Sequence, residues 1–332
     1  MAENYRLMYG GTPLSPVEAA GGRKIYCFRD ADGVGERTVF QVFPGIDLIF
    51  DDYARTECDC RLEAGPGELL ELRYCHAGRL ECRWVCGDYL YLGAGDLCIT
   101  RMEQGQPPMS LPTGRYQGVT VVLDMERLRR GELPVIGAHK PELDRLGEKF
   151  CPGHHFFAMR ANAHIAHIFS ELYGNISEAV REDYYKIKVL ELLMFLLMVD
   201  PEEERRVERI TKGQIDVVKA VRDRLCQDLG RELTIEQLAR EFLISPTALK
   251  SNFTLVYGSS VKEYLRRVRM DHAALMLRTG SLPVAEIARL LGYASQSKFA
   301  AAFKEAYELS PTEYRRKCTH EGEEQASRSR WA

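Results

Sequence analysis

The sequence predicts a multidomain α+β chain: an N-terminal β-barrel backed by a helical segment, then an all-α C-terminal domain. Three observations predict it. Short apolar runs punctuated by Gly and Pro fill residues 1–130. Helical periodicity replaces them from about Met125 to Asp200. A repeat of about fifty residues then occupies Leu238 to Phe303, and repeats govern the architecture they build.

Length and composition bound the reading. At 332 residues, with about 150 per domain as a guide, two domains are expected. An apolar content of 45% and a charged content of 28% are those of a soluble globular protein. No stretch offers the ~20 uncharged apolar residues a membrane helix needs; Val189 to Val199 is too short and carries Glu191. Met1 to Arg6 lacks a basic region followed by an apolar core, so a cytoplasmic protein without membrane attachment is expected. Ten cysteines in such a chain read as free thiols.

The strand region opens with Gly10-Gly11, Pro13, Gly21-Gly22, Gly33 and Gly35 as punctuation. Thr38 to Phe43 and Ile46 to Phe50 flank Pro44-Gly45. Leu69 to Cys75, then His76-Ala77-Gly78, then Arg79 to Cys86 reads as a hairpin, with Leu80, Cys82, Trp84 and Cys86 on one face. Tyr89 to Leu92 and Asp96 to Thr100 enclose a Gly-x-Gly-Asp turn, and Gly114 to Leu123 closes the set. Such spacing suggests a sandwich or barrel. Residues 131–200 form a helical packing or dimerisation segment: Pro141 to Phe150, Arg160 to Tyr173, and Glu182 to Val199. On the last, Ile187, Leu190, Leu193, Met194 and Leu197 form an apolar stripe for the barrel or for a second subunit. Residues 201–211, beginning Pro201-Glu202-Glu203-Glu204, are polar and form the linker; 318–332 form a disordered tail.

Residues 212–317 carry the repeat. Ile215, Val218, Val221 and Leu225 mark a first helix, and Thr234 with Gln237 forms a capping box for the next. Ala239 to Phe253 and Ala288 to Phe303 each read as a helix, a tight turn and a second helix. Ser245 and Ser295 sit at N-cap positions, and Pro246 at the first helical position. Leu249 and Phe253, or Phe299 and Phe303, bury one face at i and i+4, leaving the opposite face for a partner. Net charge is −3, yet residues 212–317 hold 18 Lys+Arg against 12 Asp+Glu. A positive half favours a polyanion.

With Gly258, Tyr264, Arg269, Ala273, Leu277, Gly292-Tyr293, Phe303-Lys304 and Ser310-Pro311-Thr312-Glu313-Tyr314-Arg315 added, the segment resembles the DNA-binding domain of AraC/XylS-type transcription regulators. The resemblance implies double-stranded DNA as partner, RNA polymerase as a further one, a homodimer, and a lean towards activation. The Gly-x-Gly-Asp turn more loosely resembles the cupin barrel of such regulators, which implies a small effector bound there. Carried over by position, the resemblance gives the DNA-facing residues as Thr247, Lys250 and Ser251, then Gln296, Ser297, Lys298 and Ala301. Lys250 suits guanine or phosphate, Gln296 suits adenine, and Ala301 offers only a methyl contact to thymine. The backbone after Ser245 and Ser295 suits phosphate. Val261 to Arg278 is a strut of roughly 27 Å between the two turns.

Other readings stay open. Cys58, Cys60, Cys75, His76, Cys82 and Cys86 raise a thiol- or metal-responsive regulator, and His154-His155 and His164 with His167 a metal pair. The bland reading makes these thiols buried fillers and these histidines helix surface. Trp84, Tyr74 and Tyr91 are possible effector contacts, without a firm choice among them. A regulator acting through protein partners alone is also compatible. No catalytic site and no cofactor are expected: the barrel region offers only His76, where a metallo-cupin needs several histidines and a carboxylate.

Overall fold

The structure, a computed structural model, describes residues 5–318 except 10, 21, 59, 65–67, 85–86, 88, 103–108, 132, 134–135 and 154–155; the side chains of 19–20, 60–61 and 64 are also left aside. The chain divides into two compact units, Met1–Lys212 and Gly213–Ala332.

The first unit contains β1 (Tyr5–Tyr9), β2 (Thr12–Pro13), β3 (Glu18–Ala20), β4 (Arg23–Asp30), β5 (Gly33–Phe43), β6 (Ile46–Ala54) and β7 (Glu57–Cys58). It continues with β8 (Cys60–Ala64), β9 (Leu69–Arg83), β10 (Tyr89–Gly93), β11 (Asp96–Arg101), β12 (Met109–Ser110) and β13 (Tyr116–Asp124). Helices α1 (Met125–Arg130), α2 (Lys140–Asp144) and α3 (Leu146–Phe150) follow, then β14 (Phe156–Arg160), α4 (Ala163–Leu172) and α5 (Arg181–Met198). The main sheet runs β14-β11-β9-β13-β6-β5-β4-β3, and β2-β1-β8 form a smaller one. Among the described residues the two ends of the main path do not pair, so the closed barrel expected from the strand count is an open sheet.

Period-two alternation gives the main sheet two apolar faces. On one, Leu48, Leu72, Tyr74, Leu97, Ile99 and Val121 pack with α4 and α5. On the other, Tyr26, Val39, Ile49, Leu80, Trp84, Leu92 and Tyr116 pack with Tyr5 and Leu7 of β1. Fully burying one such side chain contributes about 1.5–3 kcal/mol, so both faces matter to stability. The second face also encloses charge. Arg37 and Asp51 form a buried two-bond pair at 2.5 and 3.0 Å, and Tyr53 donates to Asp51 at 2.5 Å.

Three local readings change. The hairpin expected at His76-Ala77-Gly78 is one bent strand, β9. Its register with β13 slips between Cys75 and Ala77, where Gly118 and Gln117 lie opposite, leaving His76 as a bulge. Gly78 has φ +80, and a Cβ there would overlap the Arg115 carbonyl oxygen. Gly here supplies the bend of a strand and not a reversal. The segment Pro141 to Phe150 is two helices, α2 and α3, parted at Arg145. On α5 the most buried residues are Tyr185, Val189, Leu192, Leu193 and Leu196, while Ile187 of the expected stripe is exposed. Two apolar rows compete on this helix, and the sheet takes the one that carries Tyr185, whose ring meets Phe40 and Phe50.

The 201–211 segment, expected as a linker, carries sheet pairing. Arg160 N–H donates to the Arg205 carbonyl at 2.8 Å, and Val207 N–H to that of Ala158 at 3.0 Å. Met159 and Leu90 bridge to Arg206 and Arg209. The Arg206 and Arg209 guanidinium groups stack over Phe157 and Phe156 at 4.9 and 4.8 Å. Their cation–π contacts cover the β14 edge.

The second unit is helical: α6 (Lys212–Gln227), α7 (Ile235–Glu241), α8 (Pro246–Tyr257), α9 (Val261–Thr279), α10 (Val284–Leu290) and α11 (Gln296–Tyr307), with residues 311–318 also helical. Ile215, Val218, Val221 and Leu225 of α6 are buried, and the Thr234–Gln237 capping box is formed in both directions. The tail from 319 onward lies outside the described residues. Among the described residues no helix is long and apolar enough to cross a membrane.

Candidate nucleic-acid interface

The two copies of the repeat close in the same way. After α7 the chain passes through Leu243 at φ +53, and Ile244 N–H reaches the Ala239 carbonyl at 3.0 Å. After α10 it passes through Gly292 at φ +76, and Tyr293 N–H reaches the Ala288 carbonyl at 2.9 Å. This left-handed residue with its reach-back bond is a Schellman-type stop. Gly292 is forced: a Cβ would stand 2.5 Å from the Gly230 carbonyl oxygen and 3.0 Å from Arg269 Nη2. Leu243 does the same job with a side chain 95% exposed.

The second helix of each copy then begins at a serine. Ser245 Oγ accepts from Ala248 N–H at 3.2 Å, and Ser295 Oγ from Lys298 N–H at 3.3 Å. Each bond satisfies one of the amides left open at a helix start. Leu249 and Phe253 are wholly buried in α8, as are Phe299 and Phe303 in α11, and Ala239 and Ala288 are buried where the paired helices cross. That anchoring fixes which face turns outward. Ser245, Thr247, Lys250 and Ser251 are exposed at and after the start of α8; Ser295, Gln296, Ser297, Lys298 and Ala301 are exposed at and after the start of α11. Neither Lys250 nor Lys298 has an ion-pair partner among the described residues, so both charges face solvent.

Between the copies stands α9. Ser260 and Glu263 cap it reciprocally, and those hydrogen bonds hold the Glu263 carboxyl below its ordinary pKa. Its 19 residues give a rod of about 28 Å at 1.5 Å per residue. Tyr264 of α9 packs on Phe253 and Tyr257, while Met270, Ala273, Ala274 and Leu277 join the core around Phe299 and Phe303. Each copy is thus locked to one end of the same rod.

Two arginines of the motif have structural roles. Arg269 donates to the carbonyls of Leu229 and Arg231 at 2.8 and 3.3 Å, pinning the loop beneath Gly292. Arg315 donates to the Leu282 carbonyl at 2.6 Å. Lys304 is exposed. The closing Ser310-Pro311-Thr312-Glu313-Tyr314 forms another reciprocal cap, and Tyr314 rests on Phe303 and Tyr307.

The first unit offers little to thiol or metal chemistry. Cys75, Cys82, Cys98 and Cys151 are buried free thiols, and Cys58 is buried as well. Burial pushes Cys75 and Cys82 up to about 12 and Cys151 to about 11, so they stay protonated near neutral pH. Protonated thiols are poor nucleophiles and poor ligands. Among the described residues no three His, Cys, Asp or Glu side chains are disposed to hold a metal. His164 stacks on Phe195, His167 faces Glu171 at 3.5 Å and His76 stacks on Tyr173. The Cys60 side chain, Cys86 and His154-His155 lie outside the described residues. Of the possible effector contacts, Tyr74 stacks on Phe169 on the helix-covered face, and Tyr91 bonds to Glu81.

Comparison with known proteins places the second unit. A family model described as a helix-turn-helix domain matches residues 238–317. An uncharacterised HTH-type transcriptional regulator, YijO, of Escherichia coli K12 is 35% identical over 98 residues, covering 30% of this chain and 35% of that protein. The arabinose operon regulatory protein of the same organism is 29% identical over 163 residues, covering 47% of this chain and 53% of that one. The chain thus spans about a third to a half of the length of these curated relatives. Among solved structures, the C-terminal domain of AraT, a response regulator from Geobacillus stearothermophilus, is 34% identical, covering 30% of this chain and 84% of that one at a TM-score of 0.30. The DNA-binding domain of AdpA in complex with a target DNA is 24% identical, covering 30% and 90% at a TM-score of 0.29.

Proposed function

This chain belongs, through its C-terminal domain, to the AraC/XylS-type transcriptional regulators, and from that premise we propose that it reads a specific DNA site with both recognition helices. α8 and α11 enter successive major grooves, which stand ~34 Å apart on B-DNA. The single observation that carries this is the matched pair of exposed helix starts braced by α9. Thr247, Lys250 and Ser251 face one groove; Gln296, Ser297, Lys298 and Ala301 face the other. Lys250 and Gln296 read base edges, while the amides capped by Ser245 and Ser295 approach phosphate. Ala301 contributes at most a thymine methyl contact, so α11 holds backbone more than it reads sequence.

The first unit acts as the effector-responsive part, shifting between two arrangements by binding a small molecule better in one of them. The exposed row of α5 that includes Ile187 serves a homodimer, and the DNA-bound protein recruits RNA polymerase as an activator. Buried, protonated thiols disfavour the thiol- or metal-responsive alternative.

The test begins with selection of bound duplexes from a random pool. A site with two half-patterns about one helical turn apart is expected. Lys250→Ala with Gln296→Ala should then weaken binding to the selected site by roughly 30-fold or more, at about 1–3 kcal/mol for each of the two base contacts. Wild-type affinity in that double variant would sink the assignment of readers.

A further inference from the structure

We propose that Arg269 is a positioning residue that sets which half-site spacing the protein accepts, by clamping the loop ahead of α7 onto the turn between α10 and α11. The proposal rests on the two-helix reading of DNA given above and adds a specificity determinant to it.

A single rod leaves one freedom open. α9 fixes how far apart the two copies stand, but a copy held only at one end of a helix can still rock and twist about it. Successive grooves demand both a distance and an angle. Each base pair adds about 3.4 Å of rise and roughly 34° of rotation. Holding the angle takes a second brace, set to one side of the rod.

Residues 228–233 supply that brace. They join α6 to α7, the first helix of the first copy, yet they pack on the second copy. Leu229 lies against the core that contains Ile287, Leu291 and Phe299. Gly230 meets the second turn backbone to backbone. A Cβ on Gly230 would stand 2.8 Å from the Leu290 carbonyl oxygen, and one on Gly292 would stand 2.5 Å from the Gly230 carbonyl oxygen. Two glycines facing each other permit so close an approach. Asp228 shapes the loop: its Oδ1 accepts from Gly230 N–H at 3.1 Å, and its carbonyl accepts from Arg231 N–H at 3.2 Å. Glu232 and Leu233 alone then separate the loop from Thr234, the N-cap of α7. Movement of the loop is therefore passed to α7, and through Leu238 and Ala239 to the helix that follows it.

Arg269 closes the triangle. It stands half-buried near the middle of α9, and its Nε and Nη2 donate to the Leu229 and Arg231 carbonyls on either side of Gly230. A guanidinium is planar and rigid, so two bonds from one group fix the loop in angle as well as in distance. A net intramolecular hydrogen bond shifts an equilibrium by about 2- to 12-fold. The pair is thus worth roughly 4- to 140-fold in favour of one arrangement of the two copies. That is enough to tell one spacing from its neighbours without any base contact by Arg269 itself.

The experiment uses the full chain and the duplex selected above, with one base pair added or removed between the half-patterns. Affinities are read by fluorescence anisotropy. Wild type should bind the altered duplexes at least tenfold more weakly. In Arg269→Met that penalty should shrink at least fourfold, with base preference inside each half unchanged, and Arg269→Lys should keep part of it. Gly230→Ala leaves Arg269 and its charge in place but drives the loop off the Leu290 carbonyl, and should relax the spacing in the same way. An equal loss on every duplex would make Arg269 a plain phosphate contact or a stability residue and overturn the proposal. So would an undiminished penalty in either folded variant. A wild type indifferent to spacing would overturn the two-helix reading and the clamp with it, which separates failure of the premise from failure of the clamp alone.

Discussion

Gly292 and Leu243 occupy matched places in the two turns, which makes them a controlled comparison. Replacing Gly292 with Ala puts a Cβ on a residue at φ +76, 2.5 Å from the Gly230 carbonyl oxygen. A left-handed conformation costs an L residue about 1–2 kcal/mol. The displaced loop also strains the Arg269 bonds to Leu229 and Arg231, each worth about 0.5–1.5 kcal/mol net. The variant should lose roughly 2–4 kcal/mol locally. Leu243→Gly runs the other way. It relieves the same ~1–2 kcal/mol and forfeits no burial, because the side chain is 95% exposed. The extra freedom of Gly in the unfolded chain takes back ~0.5–1 kcal/mol, leaving a net gain of roughly 0–1.5 kcal/mol. Native-state hydrogen exchange of the full chain resolves the two copies separately. Amides of α10 and α11 should exchange at least about 30-fold faster in Gly292→Ala, since 1.4 kcal/mol is tenfold. Those of α7 and α8 should slow by a few-fold in Leu243→Gly. Unchanged exchange in the first variant, or faster exchange in the second, would refute the turn argument.

Three other outcomes follow from the same structure. Asp51→Ala removes the carboxylate from a buried Arg37 and should cost about 3–5 kcal/mol in urea unfolding, whereas Arg37→Met with Asp51→Leu should cost much less. Glu263 and Glu313 both have carboxyls held below the ordinary value by hydrogen bonds from Ser260 and Ser310. A lowered folded pKa gives stability that is present above the unfolded value and lost as pH falls through the lowered one. The Glu263→Gln, Glu313→Gln variant should therefore melt lower at pH 6 and fall less on acidification from pH 5 to 3. Finally, Lys298→Ala should reduce the salt slope of duplex binding by about one, with little change in sequence preference.

The C-terminal unit was legible in the sequence because its signals are local. Ser245, Ser295, Thr234 with Gln237, and Gly292 each state a helix start or stop within four residues, and all four are used as read. The exposed faces of α8 and α11 followed from Leu249, Phe253, Phe299 and Phe303. Leu243 escaped because nothing in Leu marks a left-handed residue. The first unit was less legible because its decisive contacts are remote in sequence. A Gly at a strand bend and a Gly in a hairpin look alike until β13 is known to run past Gly78. β14 hid inside a segment read as helical, since Phe156 to Met159 is an apolar run without a period of its own. Arg73 of β9, paired with Glu71 and mostly buried, drew no notice, because a strand arginine reads as surface.

The arginine-rich strip at 205–209 has a mechanical corollary. While it stays bridged to Met159 of β14 and Leu90 of β10, only 210–211 separate the last of these bridges from the start of α6. Peeling it away would pay out about five more residues, or ~17 Å of slack at full extension. Trp84 stacks at 3.8 Å on Phe156, the ring under Arg209. The catch of that spool is thus two stacked rings and one guanidinium.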